Sequence, residues 1–255
     1  MFANYHTHTF RCHHATGSER EYIEEAIRAG IRVLGFSDHA PQFFDDGFVS
    51  PIRMLPSEAE EYVATLRRLA DEYRNEIEIR IGFEAEYFPS IFPQLRSFCR
   101  DIGVEYLILG QHLLHDERPG MWISRIGNDP ARLPVHVDEI LEGLATGAYT
   151  YLAHPDMFVF TGDPADYRRE MLRLLHGVKA LGLPIEYNLL GRRERRHYPA
   201  AAFWELVPRV GCEVILGRDA HAPIMLGECE LENEGRAELA ALGITPLERV
   251  TLRPL

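Results

Sequence analysis

Short apolar runs alternate with amphipathic stretches along nearly the whole chain. Seven runs read as strands: 3–8 (ANYHTH), 32–37 (RVLGFS), 77–84 (IEIRIGFE), 105–110 (EYLILG), 149–153 (YTYLA), 184–188 (PIEYN) and 213–217 (EVILG). Between them lie helical patterns. Ser18 followed by Glu21 is a capping-box signature opening a helix that stops at Gly30. Ser57 and Glu60 are placed to cap a second helix, SEAEEYVATLRRLADEYR. Further helices are predicted near 90–101, 135–146, 164–182, 199–210 and 233–242, with a β-rich tail, ERVTL, at the end. A Pro/Gly-rich loop covers 40–56, and a loop of over 20 residues follows the fourth strand. Seven βα units with short apolar strands predict a parallel sheet with helices outside it. Their number and the length of 255 residues favour a barrel, with residues 1–255 forming one domain.

Composition narrows the class. With 46 % hydrophobic and 26 % charged residues, the chain reads as globular, not disordered or fibrous. No apolar run is long enough for a membrane span, and MFANYHTHTF does not read as a signal peptide. A net charge of −12, with no basic patch beyond Arg192–Arg196, argues against nucleic acid as a partner. Cys12, Cys99, Cys212 and Cys229 form no CxxC pair, which suits a reducing cytoplasm. The unusual count is 12 histidines.

They are not scattered. The strands end in His6-Thr7-His8, Ser37-Asp38-His39, Glu84, Gly110-Gln111-His112, Ala153-His154-Pro155-Asp156, Asn188 and Asp219-Ala220-His221. In (β/α) barrels the C-terminal strand ends build the active site. Residues i and i+2 on a strand share a face, so His6 with His8, and Asp219 with His221, can grip one ion. Neutral imidazole and carboxylate are ligands for Zn, Mn or Fe. A lone strand-end histidine is ordinarily a satisfied core or surface residue; the succession predicts a metal centre.

HTHT, FSDHAP, the strand-end Glu, GxH, AHPD and GRDAHAP resemble the polymerase-and-histidinol-phosphatase (PHP) superfamily, and within it the histidinol-phosphate phosphatases, from about residue 4 to residue 227. The resemblance implies a distorted (β/α)7 TIM-like barrel holding three divalent metal ions. His6, His8, Glu84 and Asp219 would hold the first. Glu84 would bridge to a second, completed by His112 and His154. His14, His39 and His221 would hold the third, His14 being chosen over His13 by its spacing from the HxH pair. Glu84 and Asp219 would be the catalytic carboxylates, and Asp38 would orient a ligand imidazole. Two departures stand out: Arg218 precedes Asp219 where the family usually has a small residue, and GQH replaces SxH.

The implied reaction is hydrolysis of a small phosphate monoester, L-histidinol phosphate in the family, by hydroxide attack on phosphorus. Glu84 and Asp219 would offset only a third of the charge of three divalent ions, leaving a trap for an anion. Arg193 in the NLLGRRERRHYP run, Arg53 in the loop after the second strand, and Arg218 are the candidate phosphate cations. His115 and His197, in site-side loops, are candidates for substrate contact, whereas His136 and His176, in predicted helices, read as solvated. The alternatives are a metal-dependent amidohydrolase, which would carry a Lys on a middle strand, and a PHP phosphoesterase acting on another small ester or a nucleic-acid end. The oligomeric state is not legible.

Overall fold

In the computed structural model, described for residues 1–118, 120–125 and 129–255, seven parallel strands stand in sequence order. They are β1 (Ala3–Asn4), β2 (Val33–His39), β3 (Glu78–Ala85), β4 (Tyr106–Leu109), β5 (Tyr149–Leu152), β6 (Ile185–Asn188) and β7 (Val214–Gly217). The circle closes through one parallel bridge, Thr7 to Ala220, so the barrel is nearly closed and distorted at that seam. The predicted strand 3–8 is therefore shorter than expected. Its second half bends to carry His6 and His8, and backbone bonds from His8 N to Ala220 O (2.9 Å) and from Ala220 N to His6 O (3.2 Å) hold it.

Side chains alternate between two cores, as a pleated strand requires. Tyr5, Val33, Tyr106, Ile108, Tyr151 and Ile215 fill the barrel interior, and Val250 from the C-terminal tail packs on them. Leu34, Phe36, Leu107, Leu109, Leu152 and Leu216 point outward into the layer shared with the helices. The tail is not a strand: Leu247 makes a single bridge to Ile215.

Most helices match the sequence pattern. In α1 (Glu19–Arg28), Ser18 and Glu21 form the predicted capping box, and Gly30 sits at φ 76°. α2 (Pro56–Glu72) starts differently, since Pro56 takes the first turn and Glu58, not Glu60, reaches back to Leu55 N at 2.7 Å. α3 (Phe92–Ile102), α4 (Leu133–Ala145) and α5 (Pro164–Ala180) follow. A short helix absent from the sequence reading, α6 (Leu189–Arg193), leaves β6 directly, with Asn188 accepting from Gly191 N at 3.0 Å as its N-cap. The predicted helix 199–210 is two pieces, α7 (Ala201–Trp204) and α8 (Val207–Val210), with Pro208 in the first turn of the second. α9 (Cys229–Ala241) ends the series. Among the described residues no helix is long and apolar enough to cross a membrane.

Candidate metal centre

The C-terminal strand ends meet in a cavity of about 330 Å³. Glu84, at the end of β3, lies at its floor with imidazoles close to both oxygens. Oε1 is 2.7 Å from His154 Nε2 and 3.3 Å from His112 Nε2. Oε2 is 3.1 Å from His39 Nδ1 and 3.5 Å from both His6 Nε2 and His8 Nε2. On the far side of His6 and His8, Asp219 Oδ1 stands 3.4 and 3.1 Å from the same two nitrogens. The rings of His14, His39 and His221 converge above, with centroids 4.9 Å apart for His14–His221 and 5.3 Å for His14–His39.

These donors fit divalent cations. His6 Nε2, His8 Nε2, His39 Nδ1, Glu84 Oε2 and Asp219 Oδ1 are buried with no hydrogen-bond partner. Each orphan costs about 1–3 kcal/mol, and a cluster of five in one place is what a cation would satisfy. Ligand atoms converge in groups that could each hold an ion: His6, His8 and Asp219; His6, Glu84 and His154; His8, His39 and Glu84; His14, His39 and His221. A further group joins Cys12 to His8 and His221. Both His13 and His14 are exposed, but His14 belongs to such a group, whereas His13, at φ 65°, ends the 3-10 turn Phe10–Cys12 and joins none among the described residues. Two ligand candidates, His154 (φ 69°) and Asp219 (φ 49°), occupy the left-handed region that costs an L-residue energy. Strain held at these two positions, where the chain leaves β5 and β7, turns the side chains into the cavity.

Electrostatics put the two carboxylates and two of the rings in their ligating protonation states. His6, His8 and His112, although burial works against the charge, are raised by the carboxylates they face and so give up a proton to a bound cation. Burial would raise the Glu84 carboxyl, but the imidazoles of His112, His6 and His39 overcome it and hold Glu84 well below the usual carboxylate range. Asp219 is depressed likewise, burial being outweighed by His6, His8 and His221. Burial pushes His39 down to about 4 and His221 to about 3, so both rings are neutral at pH 7.

Behind the ligand candidates stands a second ring of carboxylates. Asp38 accepts from Thr9 N at 3.1 Å and from the Thr9 hydroxyl, and its Oδ1 lies 3.5 Å from His8 Nδ1, so it positions that ring and does not face the cavity. Glu86 accepts from His112 Nδ1 at 2.9 Å. Glu186, which the sequence reading missed, lies 2.8 Å from His6 Nδ1 and is fully buried. Asn188 joins it to Asp219, donating to Glu186 Oε1 at 2.7 Å and Asp219 Oδ2 at 3.0 Å. The legible signal was an acid inside the apolar run PIEYN, two residues before Asn188 and so on its face. Carboxylates that grip the outer nitrogen of a ligand imidazole fix its orientation and raise its basicity.

Two glycines make room for these carboxylates. A Cβ on Gly110 would lie 1.9 Å from Glu84 Oε1, and one on Gly217 would lie 2.3 Å from the Glu186 carboxylate. Gly217→Ala should therefore push Glu186 off His6 and mimic Glu186→Gln, each weakening metal binding about 10- to 100-fold. Titration against a metal-buffering chelator measures this; wild-type affinity in both variants would remove Glu186 from the centre.

The three arginines expected at the phosphate lie elsewhere. Arg53 is buried and enclosed: it donates to Glu86 at 2.9 and 3.1 Å, to Glu117 at 2.8 Å and to Ala40 O at 3.0 Å. Arg218 points away from the cavity to Glu232 at 2.8 Å and to the Glu228 carbonyl, because Asp219 beside it turns inward through its left-handed backbone. Arg193 pairs with Glu228 at 2.9 Å on a separate surface depression. From the same basic run it is Arg196 that lines the cavity, with Glu194 and Tyr198. The register of the turn after α6 decided this. The loop histidines also have other partners: His115 lies 2.7 Å from Glu139, and His197 Nε2 lies 2.6 Å from Met157 O. His176 is exposed as expected, but His136 is buried against Phe158, and burial lowers it to about 3.

A seven-stranded parallel barrel with a His/carboxylate constellation at its C-terminal strand ends is the architecture of a metal-dependent barrel enzyme. The chain belongs to the PHP domain family, whose model matches residues 4–189. It is similar to a protein of Deinococcus radiodurans named "Probable histidinol-phosphatase", with 28 % identity over 239 residues and 87 % of each chain covered. A Bacillus subtilis protein named "Histidinol-phosphatase" is 30 % identical over 118 residues, 44 % of each chain. The crystal structure of histidinol phosphate phosphatase from Lactococcus lactis, complexed with zinc, L-histidinol and phosphate, shares the fold, with a TM-score of 0.70, 16 % identity and 98 % of both chains covered. The chain is thus a metal-dependent phosphoric monoester hydrolase.

Proposed function

We propose that this chain hydrolyses L-histidinol phosphate to L-histidinol and phosphate at a centre of three divalent ions. The observation that carries the reading is Glu84, whose two oxygens face two different sets of imidazoles. That is the arrangement of a carboxylate shared between two cations. His6, His8 and Asp219 would complete one position with it, His112 and His154 a second, and His14, His39 and His221 hold a third. Bound ions of this kind supply charge for the non-bridging phosphate oxygens and lower the pKa of water.

The protein's own groups do the rest. Asp38, Glu86 and Glu186 lock the ligand imidazoles. Arg196, donating to Glu194 at 2.7 Å and Tyr198 at 3.0 Å, presents a guanidinium edge to the phosphate. Ile52, Trp122, Met157 and Leu190 form the apolar wall for the organic part of the ester. The relatives' names support this substrate.

Phosphate release from L-histidinol phosphate, abolished by chelation and restored by Zn, Mn or Fe, is the expected result. Elemental analysis should then give about three ions per chain, the count its ligand sets provide. Hydrolysis of cyclic amides with no action on phosphate esters would favour the amidohydrolase alternative. Arg196→Ala should lower kcat/KM about 10- to 100-fold, chiefly through KM and with metal content intact. Arg193→Ala should leave kcat/KM within about twofold, as an exposed ion pair removed from the cavity warrants. The reverse ranking would return the phosphate role to Arg193.

A further inference from the structure

Outside the ligand candidates, the charged side chains among the described residues lining the cavity are Glu194 and Arg196. A carboxylate at the mouth of a site built for a phosphate dianion opposes substrate entry unless it has a partner of its own. Arg196 satisfies only part of it: the guanidinium meets Glu194 Oε2 alone, through Nε at 2.7 Å and Nη2 at 2.5 Å, and gives one Nη1 proton to Tyr198 at 3.0 Å. That leaves a second proton on each of Nη1 and Nη2, while Glu194 keeps 39 % of its side chain exposed. The two charges are held in place. Glu194 N bonds to Leu190 O at 2.9 Å and Arg196 N to Gly191 O at 2.8 Å, both on α6. Asn188, the cap of that helix, is tied to Glu186 and Asp219. An anion and a cation side by side form a template for a ligand that carries the opposite charges side by side.

Resting on the function proposed above, we infer that Glu194 is a specificity-determining residue. It receives an ammonium group carried close to the phosphate that Arg196 binds. The substrate class is then a phosphate monoester of a 1,2-amino alcohol, whose ammonium and phosphate each meet an opposite charge without breaking the Glu194–Arg196 bond. Ordinary phosphate esters lack the second charge and leave Glu194 facing their dianion.

The test uses the metal-loaded enzyme and two esters, L-histidinol phosphate and the same ester without its amino group. Wild type should prefer the amine-bearing ester about 30-fold in kcat/KM, the value of a hydrogen bond to a charged group. In Glu194→Gln that ratio should collapse towards one, with the change in KM. Glu194→Asp should restore part of it. An equal loss for both esters in Glu194→Gln would show that Glu194 serves only to position Arg196 and would overturn the inference, as would an undiminished preference. If wild type hydrolyses neither ester, the function reading fails. The amine preference is then measured by calorimetric binding of the two esters, and equal affinities overturn the inference separately.

Discussion

Glu84→Gln should strip about two of three ions from the chain and lower kcat by more than about 10³-fold, beyond the 10- to 100-fold typical of losing an outer-shell partner. The carboxylate touches five imidazoles, with Oε1 towards His112 and His154 and Oε2 towards His6, His8 and His39. An amide keeps the shape but loses the charge. Its NH₂ group would also point a donor at nitrogens or cations that need an acceptor. His14→Ala is the control. His14 converges only with His39 and His221, so this variant should keep about two ions and lose activity about 10²-fold through misplacement of the phosphate. Metal stoichiometry and kcat measured side by side decide the matter. Full metal in Glu84→Gln with an empty centre in His14→Ala would reverse the assignment, and a matching loss in His13→Ala would move the third-position ligand to His13.

Arg53→Met should lower the melting temperature of the metal-loaded protein by about 10 °C and weaken the position served by His112. Its guanidinium is buried, with Glu86 at 2.9 Å and Glu117 at 2.8 Å as partners. Burial works against the Glu86 carboxylate, and Arg53 and His112 together hold it ionised well below its ordinary range. Removing the cation leaves two buried carboxylates uncompensated. Breaking a buried pair in this way costs about 3–5 kcal/mol, which in a chain of this size corresponds to a shift of that order. Arg53 also ties the loop after β2, through Ser50 and Ala40, to the loop after β4 that carries Glu117. Thermal unfolding at equal free metal, together with KM for the ester, separates the two possible roles. An unchanged melting temperature with a raised KM would restore Arg53 as a phosphate ligand.

The sequence alone was enough to place the strands and the histidines and carboxylates at their ends, and the family resemblance then supplied the ligand set. Strand periodicity and short apolar runs are local properties, and an i, i+2 pair such as His6/His8 shares a face wherever the strand goes. All nine residues proposed as ligands stand at the cavity end of the barrel. The capping box at Ser18 was legible for the same reason, being a bond between residues three apart.

What tertiary structure decided is the partner of each charged group. Arg53, Arg193 and Arg218 carried the right chemistry for phosphate, but a guanidinium is long and mobile and takes the carboxylates that folding brings to it. Those carboxylates, Glu86, Glu117, Glu228 and Glu232, come from other segments, so no local pattern could announce them. Glu186 meets His6 from 180 positions away along the chain, and Gly110 and Gly217 matter only because Glu84 and Glu186 lie against them from the neighbouring strand. Ligand type and strand position follow from short-range geometry. Orientation, pairing and the choice of Arg196 over its neighbours follow from contacts that exist only once the barrel is nearly closed.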